Sequence, residues 1–155
     1  MMEIFTVAFF GHRKIGNIAK AEKMLEKIIL NLIEEKIYVD FLIGRNGDFD
    51  MCASAMIKQV QEKYNNCNSS HILVLPYKTA EYINNKENFD RYYDEIEICD
   101  KAWGIYPKRA IQIRNKEMID RADLVVCYVE RNEGGAFQTI EYALKQGKKI
   151  INIAT

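Results

Sequence analysis

Two glycines near the C-terminus stand where a strand pattern gives way to a helix pattern. The apolar run at residues 123–129 predicts a strand, and residues 138–146 predict a helix. Gly134 and Gly135 lie between them, where a backbone without a Cβ can approach a ligand closely. Free N–H groups and the positive dipole end of a helix N-terminus attract phosphate. The stretch therefore predicts a phosphate-binding turn.

Three polar side chains surround this turn. We expect the hydroxyl of Thr139 to bond a phosphate or to cap the helix. Glu133 and Glu141 are carboxylates that would act as general acid or base if they were buried beside a ligand. For Glu141 an exposed position on the helix is an equally good interpretation.

A compact turn with two cations follows the strand predicted at residues 4–10. Gly11 ends the strand, His12 is titratable, and Arg13 carries a guanidinium suited to bidentate contact with phosphate. The plainer alternative is a solvated loop. Because other glycine turns also follow strands, we favour a ligand-binding role.

A second turn, GRNGDFD, follows the strand predicted at residues 37–43. Its glycines permit a tight turn or close approach of a ligand. We expect at least one of its aspartates to cap the next helix, and the alternative is a hydrogen bond to a ribose or a base. The candidate ligand-binding residues here are Gly44, Arg45, Gly47, Asp48 and Asp50.

Further candidates lie on a helix and in the middle of the chain. Arg114 and Asn115 fall on the helix predicted at residues 108–121, where they would either face solvent or bring a second cation to the site. Three tyrosines are candidates for a stacking lid over a base, although ordinary packing is their commoner role. They are Tyr82, Tyr92 and Tyr93.

Alternating strands and helices must position these turns. Apolar runs at 4–10, 37–43, 71–76, 123–129 and 149–154 predict a mainly parallel sheet of about five strands. Helices are predicted at 18–33, 50–64, 108–121 and 138–146. Residues 77–107 are expected to be surface connections, in which a short helix at 77–88 and either a short helix or a strand at 93–99 are left open. This order indicates a single α/β domain over residues 1–155. Ligands bind beyond the carboxyl ends of such strands, so we expect the three turns to meet there.

Individual side chains are predicted for these helices as well. Asn17 is the expected N-cap of the first helix. Val60, Met51 and Ala55 are predicted core positions of the second helix. Inward-facing positions of the third are Ile111, Met118 and Ile119.

Composition restricts the function classes. The 22 basic and 22 acidic residues cancel, which argues against general affinity for nucleic acid or an anionic membrane. No apolar run approaches the ~18 residues of a membrane span, and the N-terminus lacks a signal-peptide pattern. Four cysteines without a C-x-x-C pair indicate reduced thiols and a cytoplasmic protein. No metal or cofactor is predicted, and the helix at 18–33 is a candidate contact for a homo-oligomer.

Two common nucleotide motifs are missing. The first turn has one glycine before Arg13, so it is not the G-x-G-x-x-G dinucleotide fingerprint. The chain also lacks a Walker A lysine. Both absences argue against an ordinary NAD dehydrogenase and against a P-loop NTPase.

The chain resembles the SLOG superfamily in an ordered set of four motifs. They are FFGHR, GRNGDFD, RNKEMIDRADLVVCYV and GGAFQTIEYALKQGKKIIN. The resemblance is closer to small bacterial and phage proteins of the YpsA-like or DUF1273-like type. It implies a Rossmann-like fold with helices on both faces of the sheet, and a nucleotide or nucleotide-derived ligand at its glycine-rich edge. It also places Gly134, Gly135 and Thr139 on the phosphate-binding part of a motif, P-G-G-x-G-T-x-x-E, that one hydrolase branch uses.

The chain departs from that hydrolase motif. Glu133 replaces the proline, and Glu141 lies one residue short of the position of the motif's glutamate. One residue along a helix turns a side chain by about 100°. We therefore predict binding of a nucleotide-derived, phosphate-containing small molecule, in a sensing or sequestering role. The alternatives are an N-glycoside hydrolase of nucleoside monophosphates, with Glu141 as acid/base, and a module for DNA handling or protein interaction.

Overall fold

The computed structural model describes residues 3–154 and contains a six-stranded sheet in the order β4-β3-β2-β1-β5-β6. Every neighbouring pair of strands is parallel. Met1 and Met2, which belong to the stretch used to exclude a signal peptide, lie outside the described residues. The strands are β1 (Ile4–Gly11), β2 (Tyr38–Ile43), β3 (Ser69–Leu75), β4 (Glu95–Ile98), β5 (Leu124–Tyr128) and β6 (Lys149–Asn152).

Six α-helices connect the strands within the described residues. They are α1 (Ile18–Glu35), α2 (Asp48–Tyr64), α3 (Ala80–Asn84), α4 (Lys86–Tyr92), α5 (Pro107–Arg121) and α6 (Gly135–Lys145). None of the helices in residues 3–154 combines the length and the apolarity that a membrane crossing requires. The side chain of Asn17 accepts a hydrogen bond from the backbone N–H of Lys20, so its prediction as the cap of α1 is confirmed. Helix α6 begins three residues earlier than predicted, directly at the glycine turn.

Alternating side chains of the strands form two cores, one on each face of the sheet. Helices α1 and α2 cover one face, where Val7, Phe9 and Phe41 are fully buried. Helices α5 and α6 cover the other face through Met118, Ile119 and Ala143. The predicted architecture, a parallel sheet with helices on both faces, is confirmed, with one strand more than expected.

The apolar stripe of α2 differs from the prediction. Val60 is buried, whereas Met51 is 40% exposed and Ala55 is also exposed. The helix begins at Asp48, and Phe49 in its first turn is buried. The buried face therefore passes through Cys52 and Met56, each one position after the predicted Met51 and Ala55. Its buried apolar residues are Phe49, Cys52, Ala53, Met56, Ile57 and Val60.

The segment between β3 and α5 is more ordered than expected. It contains α3, α4 and the edge strand β4, which pairs with β3. Tyr82, Tyr92 and Tyr93 pack with Phe89 and His71 against the core of the α1 and α2 face. The rings are therefore part of the core, and the idea of a tyrosine lid over the ligand is wrong.

The sheet changes winding direction between β1 and β5. The chain runs from β1 through β2 and β3 to β4 on one side, then returns beside β1 as β5 and continues to β6. At this point the connections leave the carboxyl ends of β1 and β5 in opposite directions, which opens a crevice between them.

Candidate functional site at the switch point of the sheet

A cleft of about 950 Å³ occupies this crevice, and we call it the switch-point cleft. Its apolar floor is formed by Phe9, Phe10 and Met118. The three glycine turns predicted to meet at one edge do contribute residues to the same cleft. Ten of the predicted residues line it: Gly11, His12, Arg13, Gly44, Asp50, Arg114, Asn115, Glu133, Gly134 and Gly135.

The imidazole of His12 organises the loop between β5 and α6. The ring is 5% exposed, and its Nε2 accepts hydrogen bonds from the backbone N–H groups of Glu130 and Arg131, at 3.0 and 3.2 Å. Burial, helped by the charge of Arg131, lowers the pKa of His12. A neutral ring with an accepting Nε2 carries its proton on Nδ1. That Nδ1 has no hydrogen-bond partner among the described residues, so His12 offers one N–H donor at the cleft.

Helix α6 points its N-terminus at the cleft without a cap. Its cap position is Gly134, no side chain bonds to the first turn, and the first turn has no acidic residue. The first N–H groups of a helix lack internal acceptors, so those of Gly135 and Ala136 remain available. Gly134 has φ +91°, a conformation that side chains rarely adopt. By contrast, the first turn of α2 carries Asp48 and Asp50.

Arg114 is a buried cation in the wall of the cleft. It is 2% exposed, and its Nη1 donates to the carbonyl of Val74 at 2.8 Å while its Nε donates to Oδ1 of Asn115 at 2.9 Å. Burial lowers its pKa, and Asp50 opposes this effect. A guanidinium nevertheless stays charged in proteins. Since Nη2 has no partner among the described residues, one face of the guanidinium remains free to bind an anion.

Asp50 balances part of this charge. Its Oδ2 accepts the backbone N–H of Asn46 at 2.9 Å, and burial raises its pKa while this hydrogen bond, Arg114 and Arg13 lower it. Neither Asp48 nor Asp50 caps α2, because Gly47 occupies the cap position. Gly44 leaves room for the two charged groups: a Cβ there would lie 3.0 Å from Asp50 Oδ2 and 3.2 Å from Arg114 Nη1.

The lining is cationic although the whole chain is neutral. Two carboxylates of the lining oppose four cations. The carboxylates are Asp50 and Glu133, and the cations are Arg13, Lys108, Arg114 and Arg131. A cleft with an excess of one charge concentrates ligands of the opposite charge, so this one selects anions.

Three residues of the second turn do not reach the cleft. Arg45 bonds Glu81 at 2.9 Å and the hydroxyl of Tyr93 at 2.9 Å, so its guanidinium faces α3 and α4. The backbone N–H of Asp48 donates to the carbonyl of Arg13 at 2.8 Å, and Gly47 fits against the backbone of Arg13. Gly47 and Asp48 join the first two turns, which is a positioning role.

Thr139 and Glu141 also lie away from the ligand position. The Thr139 hydroxyl donates to the carbonyl of Gly135 at 2.9 Å and accepts from Nδ2 of Asn115 at 3.1 Å, so it links α5 to α6 and does not cap the helix. Glu141 is exposed and outside the cleft lining. Nothing in its position supports a catalytic role.

Several lining residues were not predicted. Arg131 lies in the turn before Gly134, and Gln138 lies in the first turn of α6. The unpredicted positions on α5, Lys108 and Gln112, lie four residues apart and recur with the predicted Asn115 at helical spacing, so that periodicity is the signal that identifies them. Ile111, which was predicted to face the core, also lines the cleft. The unpredicted polar residues are Asn46, Lys108, Gln112, Arg131 and Gln138.

The junction between the first two turns gives a stability prediction. A Cβ at position 47 would lie 2.4 Å from Cα of Arg13, which forces the backbone to shift. We expect Gly47→Ala to lower the free energy of unfolding by about 1–3 kcal/mol. Gly16→Ala is the matched control, because nothing lies within 4 Å of its Cβ position, and it should change stability by less than about 0.5 kcal/mol. Equal effects of the two variants in chemical denaturation would contradict the close contact.

The described residues contain no group of three His, Cys, Asp or Glu side chains that could hold a metal ion. The donors in the switch-point cleft are N–H groups and cations, which suit oxyanions of a ligand.

Comparison with solved structures relates this fold to DNA processing protein A. The chain superimposes on DprA from Streptococcus pneumoniae with a TM-score of 0.68 and 17% identity, over 95% of this chain and 49% of that one. It also superimposes on DprA from Helicobacter pylori, a protein described with a single-stranded DNA binding mode. That match has a TM-score of 0.65 and 15% identity, over 94% of this chain and 63% of that one. The chain thus spans about half to two thirds of these proteins.

A third similar structure is the molybdenum cofactor carrier protein MCP from Chlamydomonas reinhardtii. It matches with a TM-score of 0.58 and 14% identity, over 96% of this chain and 75% of that one. No protein-family model and no curated protein sequence matches the chain significantly. At these identities the likeness concerns the fold alone: the chain shares a Rossmann-like α/β fold with these structures.

Proposed function

We propose that the protein is a single SLOG-type domain of the YpsA-like kind that binds a nucleotide or nucleotide-derived molecule in the cytoplasm. One observation carries the proposal: an uncapped helix N-terminus, a buried arginine and a buried histidine donor line the same cleft. These donors have no hydrogen-bond partner within the described residues, and an anionic ligand would accept from them with charge-assisted hydrogen bonds. Binding fits the site better than catalysis, since Glu141 lies outside it.

The phosphate would lie against the first turn of α6. The N–H groups of Gly135 and Ala136 would donate to its oxygens, as in other helix N-terminal anion sites. Arg114 would contribute its free Nη2 and His12 its Nδ1–H. Arg13, an exposed residue at the rim, would add a second cation.

The cleft has room for more than a phosphate. Its volume of about 950 Å³ lies at the upper end of the ~300–1,000 Å³ range typical of small-molecule sites. Amide side chains of Asn46, Gln112 and Gln138 line it and supply both donors and acceptors. These groups suit the hydroxyls of a ribose.

Ligand screening tests this proposal. We expect thermal-shift and calorimetric titrations to detect binding within a panel of inorganic phosphate, pyrophosphate, ribose 5-phosphate and the four nucleoside monophosphates. Arg13→Ala should weaken binding about tenfold without changing stability, because it removes one charge-assisted contact at an exposed position. Arg91→Ala, an exposed arginine on α4 outside the cleft lining, should behave as wild type. The proposal fails if no panel member binds and Arg13→Ala matches wild type.

Single-stranded nucleic acid is a second candidate ligand. The cationic lining and the likeness to a DprA described with single-stranded DNA favour it, while the neutral net charge disfavours it. Fluorescence anisotropy with a labelled oligonucleotide decides between the two. Affinity for the oligonucleotide that exceeds that for every mononucleotide and falls steeply with salt would favour DNA.

A further inference from the structure

Two aromatic rings are exposed on the segment that leads into α5. Trp103, the only tryptophan in the chain, is 90% exposed, and Tyr106 is 66% exposed. Neither ring stacks on another ring or a cation among the described residues. Exposed apolar patches on a protein surface often mark an interaction or ligand-binding site.

The backbone of this segment is held in place beneath the rings. The N–H of Trp103 donates to the carbonyl of Asp100, and that of Ile105 donates to the carbonyl of Ala102, both at 3.2 Å. Gly104 has φ +73°, which makes the tight turn. Buried Ala102 and Ala110 secure the two ends of the segment. The rings are thus presented on an ordered turn.

This segment continues directly into the switch-point cleft. Tyr106 is the cap residue of α5, and the next two residues, Pro107 and Lys108, line the cleft. Three cations and a single acid, Asp100, lie within three residues of one of the two rings along the chain. The cations are Lys101, Lys108 and Arg109.

We propose that Tyr106 and Trp103 form a stacking platform for the base of the nucleotide whose phosphate binds at α6. The inference rests on the proposed function and adds that the ligand carries an aromatic ring at the α5 side of the cleft. Aromatic side chains flanked by cations are the usual means of holding a base next to its phosphate. The positive surroundings fit an anionic ligand better than an apolar protein partner.

The single tryptophan reports on the platform directly. Selective excitation of Trp103 during titration should show a change of emission with AMP, GMP, CMP or UMP. Saturating ribose 5-phosphate, which has no base, should bind without that change. Emission that stays constant while nucleotides bind would overturn the platform and leave phosphate binding intact.

Variants test the same point through affinity. Tyr106→Ala and Trp103→Ala should each weaken nucleoside monophosphate binding about tenfold, the loss expected for one stacked base, and leave ribose 5-phosphate binding unchanged. Both rings are exposed, so the melting temperature should stay constant. Tyr64→Ala is the matched control, because that ring is at the C-terminal end of α2, whereas the cleft residue Asp50 is at the N-terminal end of this helix. Trp103 and Tyr106 are not lining residues themselves, but they directly precede the lining residues Pro107 and Lys108.

The outcomes separate the two proposals. If ribose 5-phosphate and the nucleotides all fail to bind, both the proposed function and the stacking platform are wrong. If the nucleotides bind no more tightly than ribose 5-phosphate in wild type and in both variants, only the platform is wrong. A response of Trp103 confined to single-stranded oligonucleotides would overturn the assignment to a nucleotide.

Discussion

Replacing Arg114 by methionine is expected to lower the affinity for ribose 5-phosphate by about 100-fold, since truncating a buried charged partner costs roughly 2–5 kcal/mol. The guanidinium is 2% exposed, and its Nη2 is free among the described residues. Calorimetric titration of the purified variant measures the loss. Arg114→Lys keeps the charge without the planar fork, so we expect an intermediate affinity.

The same substitution also affects folding, so its control must separate the two effects. Arg114→Met removes the donor to the carbonyl of Val74 and leaves Asp50 with Arg13 as its remaining cation. We expect a loss of about 2–4 kcal/mol of stability. The double variant Arg114→Met, Asp50→Asn removes this carboxylate as well and should recover part of the stability but none of the affinity. A folded double variant that binds ribose 5-phosphate as tightly as wild type would show that Arg114 is only structural.

The meeting of the three turns could be predicted because it follows from topology. Buried apolar runs that alternate with helices indicate a parallel sheet, and the carboxyl ends of its strands share one edge. Gly11 ends a strand, Gly44 and Gly134 follow strands, and all three line one cleft. No knowledge of side-chain direction was required for this inference.

The roles of individual residues depend on contacts between distant parts of the chain. Gly11 was expected to allow a ligand to approach, but a Cβ there would also lie 2.3 Å from the ring of Phe49. Arg45 and Arg114 are alike in sequence terms, yet one pairs with Glu81 on the surface and the other is buried beside Asp50. The position of α3 gives Arg45 its partner, and the packing of α5 on the sheet buries Arg114. Both depend on contacts between distant parts of the chain, which local sequence does not show.

The short strand β4 illustrates a further limit. Glu95–Ile98 alternates charged and apolar residues over four positions, too few to distinguish a strand from a helical turn. Pairing with β3 determines its conformation, because the backbone N–H and carbonyl groups of β3 would otherwise lack partners. The sixth strand therefore follows from the tertiary fold.

Acid should destabilise the protein through a histidine far from the cleft. His71 is fully buried, its Nε2 pairs with Ser54 Oγ at 3.0 Å, and its Nδ1 has no hydrogen-bond partner among the described residues. The rings of Tyr92 and Tyr93 pack against it. Burial lowers the pKa of His71 to about 4, with Lys58 acting in the same direction and Asp94 opposing it.

Because the folded-state pKa lies below the ordinary value of 6.5, the unfolded chain binds the proton more readily between these values. The contribution of neutral His71 to the free energy of unfolding is fully present above pH 6.5 and is lost as the pH falls towards 4. From the linkage relation, His71 alone should cost about 2.5 kcal/mol between pH 7.5 and pH 4.5. Chemical denaturation measures the free energy of unfolding at each pH. Between pH 7.5 and pH 4.5 this free energy should fall by about 2.5 kcal/mol less in His71→Gln than in wild type, because the glutamine amide does not titrate. Equal pH dependence of the two proteins would mean that the folded protein takes up a proton on His71 as readily as the unfolded chain does.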